Sequence, residues 1–205
     1  MKLKLPIGER YYDMFIMREM AFLVYPLNVW RRSLVKGFLD FSYELSPRPK
    51  KILEVGCGNG FFTRLLSYRF PSSKIFSIDT SQKSIDHAKK RHLSNVSFKK
   101  ADFFEIVGTF DLIVSLHVFI LLDTDRAFLK IKSLLYDDGL AFLTYTNKTP
   151  FTELHRRFYN VVVGDRIDFK TPESLIRIAE KHGLEGRIIE LNYQEGSFAL
   201  VLSKL

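Results

Sequence analysis

Cysteine is all but absent: Cys57 is the only one in 205 residues. One thiol cannot close a disulfide within the chain, and it cannot build the multi-cysteine site of a structural zinc, so no metal centre is expected. Long apolar runs are missing too. The longest, Leu112–Leu122, is interrupted by Ser115 and His117. It falls short of the about 20 residues that a membrane-spanning helix needs. Met1–Arg10 has no apolar stretch ending in small residues, so no secretory signal is expected. A lone cysteine without such segments fits a reducing, cytoplasmic setting. No internal repeat and no low-complexity segment stands out.

Acidic residues are in the minority. The formal net charge is +8, which favours anionic partners such as nucleic acid, acidic lipid headgroups or phosphorylated metabolites. Basic clusters occur at Arg31-Arg32, Lys89-Lys90-Arg91, Lys99-Lys100 and Arg156-Arg157. Other lysines and arginines are scattered through the helical stretches, as on any solvated surface. No recognisable nucleic-acid motif accompanies them. Hydrophobic residues make up 46% of the chain and charged ones 26%, enough apolar material for one α/β domain with a substantial core.

The most informative stretch is Ile52–Phe62. An apolar strand, Lys51–Val55, runs into Gly56, Gly58 and Gly60, and a helical pattern, Phe61–Tyr68, follows at once. This tight strand–helix corner lets backbone approach a ligand, because glycine carries no Cβ. The helix start adds free N–H donors. A dinucleotide corner reads G-x-G-x-x-G. Here the third glycine is replaced by Phe61 counting from Gly56, and by Thr63 counting from Gly58, so that pattern fails.

The rest alternates in βαβ order. Strands are expected at Lys74–Ile78, Val96–Lys99, Phe110–Ser115 and Leu140–Thr146, with helices at Gln82–His92 and Asp125–Leu135 and a turn at Asp137-Asp138-Gly139. Thr80 or Ser81 can cap the first of these helices. Thr171-Pro172-Glu173 reads as a helix start, and Gly183 as its stop after His182. Gly186–Tyr193 and Ser197–Lys204 read as a final hairpin turning at Gln194-Glu195-Gly196. Ahead of the core, Tyr11–Phe22 and Leu27–Leu45 read as amphipathic helices broken near Pro26, and Ser46-Pro47-Arg48-Pro49 as a stiff linker. Residues 150–170 read as an insertion.

Glu54-x-Gly56-x-Gly58-x-Gly60 resembles motif I of the class I S-adenosylmethionine (AdoMet) methyltransferases, and the order of elements over about Lys50–Leu205 resembles their fold. The resemblance implies a doubly wound, three-layer α/β/α domain with a mostly parallel seven-stranded sheet and a C-terminal antiparallel hairpin. It implies an AdoMet-binding domain at 50–205 behind an N-terminal helical lid at 1–49. It further implies an AdoMet-dependent methyltransferase, releasing S-adenosyl-L-homocysteine (SAH) as product. Tyr12-Asp13 and Trp30-Arg31-Arg32 are similar to the segment ahead of motif I in the UbiE-type quinone methyltransferases, with the methyltransferase type 11 group as a related comparison.

Residue by residue, Asp79 stands 19 positions past Gly60 and is placed to accept the hydroxyls of a ribose, or to cap a helix. The resemblance implies the ribose role for Asp79, with Thr80 beside it. It implies that Asp102 accepts from the adenine amino group, with Ala101 and Phe103 walling the ring. An aspartate at a strand end is also ordinary turn chemistry. Glu54, in a strand expected to be buried, needs a partner, either the cationic amino group of AdoMet or backbone N–H groups. Gly56 and Gly58 line the path of the methionine portion, and Cys57 fills the turn between them. Ser115 and His117 end the fourth strand, where His117 can orient an acceptor, take its proton, or simply be a hydrogen-bonded wall residue. Tyr12, Tyr25 and Phe158 are expected to frame the acceptor with His117. A small-molecule acceptor, quinone- or lipid-like in kind, is the favoured reading. An RNA or protein methyltransferase and a non-catalytic AdoMet-fold module stand as alternatives.

Overall fold

The computed structural model describes residues 25–147, 169–191 and 197–205, with side chains from residue 33 on. The expectations at Tyr12, the Tyr11–Phe22 helix, most of the 150–170 insertion and the 194–196 turn lie outside these residues.

The chain enters through α1 (Tyr25–Glu44). Pro26 sits in its first turn, where a missing N–H costs nothing. Then follow β1 (Lys51–Val55), α2 (Phe61–Arg69), β2 (Lys74–Asp79), α3 (Gln82–Lys89), β3 (Val96–Lys100), β4 (Phe110–Leu116), α4 (Thr124–Leu134), β5 (Leu135–Thr146), α5 (Pro172–Lys181), β6 (Leu184–Glu190) and β7 (Ser197–Lys204). The helix starts follow capping chemistry. Ser81, Asp123 and Thr171 each accept from a backbone N–H in the first turn, and Pro172 occupies the first position of α5.

The seven strands form one sheet in the order β3-β2-β1-β4-β5-β7-β6. Neighbours from β3 to β5 are parallel, and β7 runs antiparallel to both β5 and β6. The expected fold class is therefore what the chain adopts. Some boundaries differ: α3 ends at Lys89 rather than His92, β6 is Leu184–Glu190 rather than Gly186–Tyr193, and β5 begins at Leu135, paired with Phe110, with its register to β4 shifting before Leu112↔Leu140. The Asp137-Asp138-Gly139 turn is thus an irregularity inside a longer strand, closed by backbone so tightly that a Cβ on Gly139 would lie 2.9 Å from the Phe110 carbonyl oxygen.

Alternation along the inner strands separates two cores. Leu53, Val55, Ile113, Leu143 and Tyr145 face α4 and α5, while Ile52, Leu112, Val114 and Phe142 face α1 and α2. The described half of the N-terminal segment is part of this second core, through Leu34, Phe38 and Phe41. Parallel strands with both faces covered read as near-continuous apolar runs, as β4 does. No helix among the described residues is long and apolar enough to cross a membrane.

Phe38 ties α1 to this core. It is fully buried, with ring centroids of Phe62 and Phe142 at 4.9 and 5.3 Å. Truncation there leaves a cavity between helix and sheet. Phe38→Ala is expected to lower unfolding free energy by about 3–5 kcal/mol, read from chemical denaturation. A loss below about 1 kcal/mol would mean that α1 does not hold this position.

Candidate functional site

Parallel topology brings the ends of β1, β2, β3 and β4 to one edge. There the loop after β1 has positive φ at Gly56 (77°), Gly58 (51°) and Gly60 (75°). The end of β2 holds the loop in place. Ile78 O accepts from Gly56 N and Cys57 N at 2.8 and 3.0 Å, and Asp79 Oδ2 accepts from Gly58 N at 2.9 Å. Asp79 Oδ1 accepts from Ser81 N at 2.9 Å, so the carboxylate is oriented at both oxygens. Each oxygen keeps a further lone pair for a ligand hydroxyl.

A crevice of about 830 Å³, counted out to its open mouth, lies beside this corner. Asp79, Asp102, Thr80 and Ser81 supply its polar groups, and Ile78, Phe103, Leu121 and Leu122 much of its apolar wall. Asp102 Oδ1 accepts from Phe104 N at 2.8 Å and caps the short turn Phe103–Glu105, while Ala101 N donates to Asp79 O. Among the described residues, two acceptor-only carboxylates and no lysine or arginine line this space. Such a set suits a ligand that offers hydroxyl and amine donors and a flat apolar ring. Its two carboxylates would repel a pyrophosphate. A Cβ on Gly58 would meet nothing within 4 Å, whereas one on Gly56 would lie 2.1 Å from Val118 Cγ2. Gly56 is therefore required by close packing as well as by its φ.

Glu54 is 3% exposed. Its Oε2 accepts from Thr63 Oγ1 at 2.6 Å and Ser77 Oγ at 2.7 Å, so hydroxyls of α2 and β2 serve where the AdoMet amino group or loop N–H groups were expected. Burial pushes its pKa up to about 7, with the two hydroxyls opposing the rise and the Asp79 charge adding to it. Burial also raises the Cys57 thiol, with Glu54 and Asp79 adding to the effect, so Cys57 stays protonated as a filler of the turn. Ser115 Oγ donates to Val55 O at 2.9 Å and braces β4 against β1.

His117 turns the chain out of β4 with φ 57°. Its N–H donates to Thr144 Oγ1 at 3.0 Å, and Nδ1 lies 3.4 Å from Thr146 Oγ1. Burial drops its pKa to about 3, so the imidazole is neutral at ordinary pH. Nearby at the end of β5, the buried Tyr145 hydroxyl has no hydrogen-bond partner among the described residues, and its ring stacks on Phe198 at 5.8 Å.

Of the residues singled out in the sequence, Gly56, Asp79, Thr80, Ala101, Asp102 and Phe103 line the crevice together. Gly58 and Gly60 shape the loop. Glu54, Cys57 and Ser115 lie buried behind it, and His117 stands at the neighbouring strand end. Sequence reasoning missed Val118, Leu121 and Leu122, which close the crevice from the turn after β4. They are ordinary apolar residues with no motif, and the only signal was their position at the ligand-binding edge of a parallel sheet.

The sequence model of a family described as "Methyltransferase domain" matches residues 28–189. The malonyl-[acyl-carrier protein] O-methyltransferase of Bacillus cytotoxicus is 37% identical over 113 residues, covering 53% of this chain and 39% of that protein. The protein of the same name from Halalkalibacterium halodurans is 30% identical over 158 residues, covering 72% and 58%. The trans-aconitate 2-methyltransferase of an Acidovorax species is 45% identical over 56 residues, covering 27% and 21%. The chain thus spans about half the length, or less, of the curated relatives it matches. Among solved structures, magnesium protoporphyrin IX methyltransferase from Synechocystis with bound SAH superposes with a TM-score of 0.75 at 17% identity, over 97% of this chain and 94% of that one.

Glu54 makes the interior pH-sensitive. Its folded pKa, about 7, lies above the ordinary value of 4.5, so the folded state holds a proton that the unfolded chain releases. Stability from this group is complete below pH 4.5, falls as pH rises to about 7, and is level above that. The span is on the order of 3 kcal/mol. Glu54→Gln is expected to flatten this part of the stability–pH profile in denaturant titrations. Identical slopes in both proteins would contradict the buried, protonated carboxyl.

Proposed function

The chain belongs to the methyltransferase domain family, and on that premise we propose that it transfers the methyl group of AdoMet to a small-molecule acceptor. The observation that carries this reading is the crevice itself. Two carboxylates, Asp79 and Asp102, face it beside a three-glycine corner, and among the described residues no cation does.

In this reading Asp79 accepts from the ribose hydroxyls, through the lone pairs left by Gly58 N and Ser81 N. Asp102 accepts from the adenine amino group, and Ala101, Phe103, Leu121 and Leu122 enclose the ring. The open backbone at Gly58 borders the methionine portion, with Glu54 behind it. AdoMet supplies a methyl group already activated on a sulfonium. The chain's own task is to align the acceptor with that methyl and to keep water out.

The relatives are named for malonyl-[acyl-carrier protein] and trans-aconitate, both carboxylic acids. We extend a carboxylate acceptor to this chain. A carboxylate oxygen has a lone pair ready and no proton to lose, so methylation needs no base. His117 suits that requirement: with a pKa of about 3 it is a poor proton acceptor, and it serves to orient the acceptor. The aromatic N-terminal segment with Tyr12 and the 150–170 insertion are proposed to cover the acceptor, in a protein that works in the cytoplasm.

Calorimetric titration with AdoMet tests the cofactor half. Asp79→Ala is expected to weaken binding at least about tenfold, as loss of charge-assisted hydrogen bonds requires, with Asp79→Asn in between. Equal affinity in wild type and both variants would remove the basis of the reading.

A further inference from the structure

α2 begins at the glycine corner, and its outer side has no acid at all. Phe61, Arg64 and Tyr68 fall at i, i+3 and i+7 and so share one face. Phe61 is 51% exposed and Tyr68 72%, and Arg64 is exposed between them. The Arg64 guanidinium lies 6.0 Å from the centre of the Tyr68 ring. Arg91 comes in from the end of α3. Its Nε donates to Asn59 O at 2.7 Å, and its side chain packs against Gly60, a Cβ on which would lie 3.1 Å from Arg91 Cδ.

Arg64 and Arg91 are close enough for each charge to act on the other. Neither makes an ion pair among the described residues. The surroundings add to the excess. Residues 74–100, which run through β2, α3 and β3, carry seven lysines and arginines against Asp79 and Asp86. By contrast Arg187 on β6 is paired with Glu44, and Lys181 on α5 with Asp125. Two like charges together, with no acid paired to either among the described residues, repel each other and are drawn to an anionic partner.

We infer that the face built from Phe61, Arg64, Tyr68 and Arg91 is a docking surface for an acidic carrier protein that delivers the acceptor to the crevice. This rests on the methyltransferase reading above. Exposed Tyr, Phe and Arg side by side are the residue types that dominate protein–protein binding energy. A guanidinium held beside a ring presents its donors in a fixed direction, which suits bidentate pairing with a carboxylate. The same arrangement occupies one side of the Tyr68 ring, which makes it a poorer platform for nucleic-acid bases, so the observations favour protein over RNA. The position fits delivery, because α2 starts at Phe61, directly after the glycine corner, and Gly56 of that corner lines the crevice. The relatives named for malonyl-[acyl-carrier protein] have an acceptor carried on a protein of this kind.

The test uses the full chain and malonyl-[acyl-carrier protein] as probe. Direct binding is measured at low and high salt without AdoMet. Turnover is compared with that of the same malonyl thioester on a short pantetheine arm without protein. Arg64→Glu and Tyr68→Ala are each expected to weaken carrier binding at least about tenfold. Salt is expected to weaken the wild type in the same direction, and kcat/KM on the carrier-bound substrate to fall in step. AdoMet affinity and the short-arm reaction stay unchanged, Arg64→Lys restores part of the loss, and Arg177→Glu on α5 changes nothing. Carrier binding that survives both variants, or a surface that binds single-stranded RNA in place of the carrier, overturns the proposal. Because carrier binding is read without AdoMet, failure of the cofactor reading shows separately, in the AdoMet titration.

Discussion

The end of β2 grips the loop after β1 at three backbone donors. Ile78 O holds Gly56 N and Cys57 N, and the Asp79 carboxylate holds Gly58 N. Only glycine takes the left-handed backbone of this path without strain, and at Gly56 the Val118 side chain leaves no room for a Cβ. Once that grip exists, the other parts of the edge are placed by the parallel ladder. Ala101 N reaches Asp79 O, Asp102 caps the next turn, and Ser115 ties β4 back to Val55. The crevice is the space that these fixed strand ends leave between them.

Charge is sorted between the interior and the rim. Beneath and beside the loop, burial keeps Glu54 largely protonated at acid to neutral pH, Cys57 a thiol and His117 neutral. Within the crevice the fixed negative charges belong to Asp79 and Asp102. Positive charge is displaced to α2, α3 and β3, where Arg64 and Arg91 lie at the outer side of the same corner. A cationic sulfonium nucleoside and an acidic partner would thus be drawn to two adjacent places on one edge, for opposite electrostatic reasons.

Much of this was legible in the residues. The glycine spacing marked the corner, period and caps marked most helices, and Asp79 and Asp102 could be placed at strand ends because parallel sheets collect their ligands there. What escaped notice was set by packing across the chain. The partners of Glu54 are Thr63 and Ser77, each unremarkable in its own element and brought together only by the β1–β2 register, Glu54↔Ser77. Val118, Leu121 and Leu122 look like continued core and become crevice wall because His117 turns the chain with a positive φ. The start of β5 at Leu135 was hidden by Asp137-Asp138-Gly139, whose turn chemistry is real yet lies inside the strand.

A crystal grown with AdoMet tests the central assignment most directly. The expected result is a ribose whose hydroxyls meet the Asp79 carboxylate, with adenine between the Ala101–Phe103 segment and Leu121–Leu122 and its amino group on Asp102. AdoMet bound elsewhere on the protein, or lying in the crevice with its ribose turned away from Asp79, would contradict it.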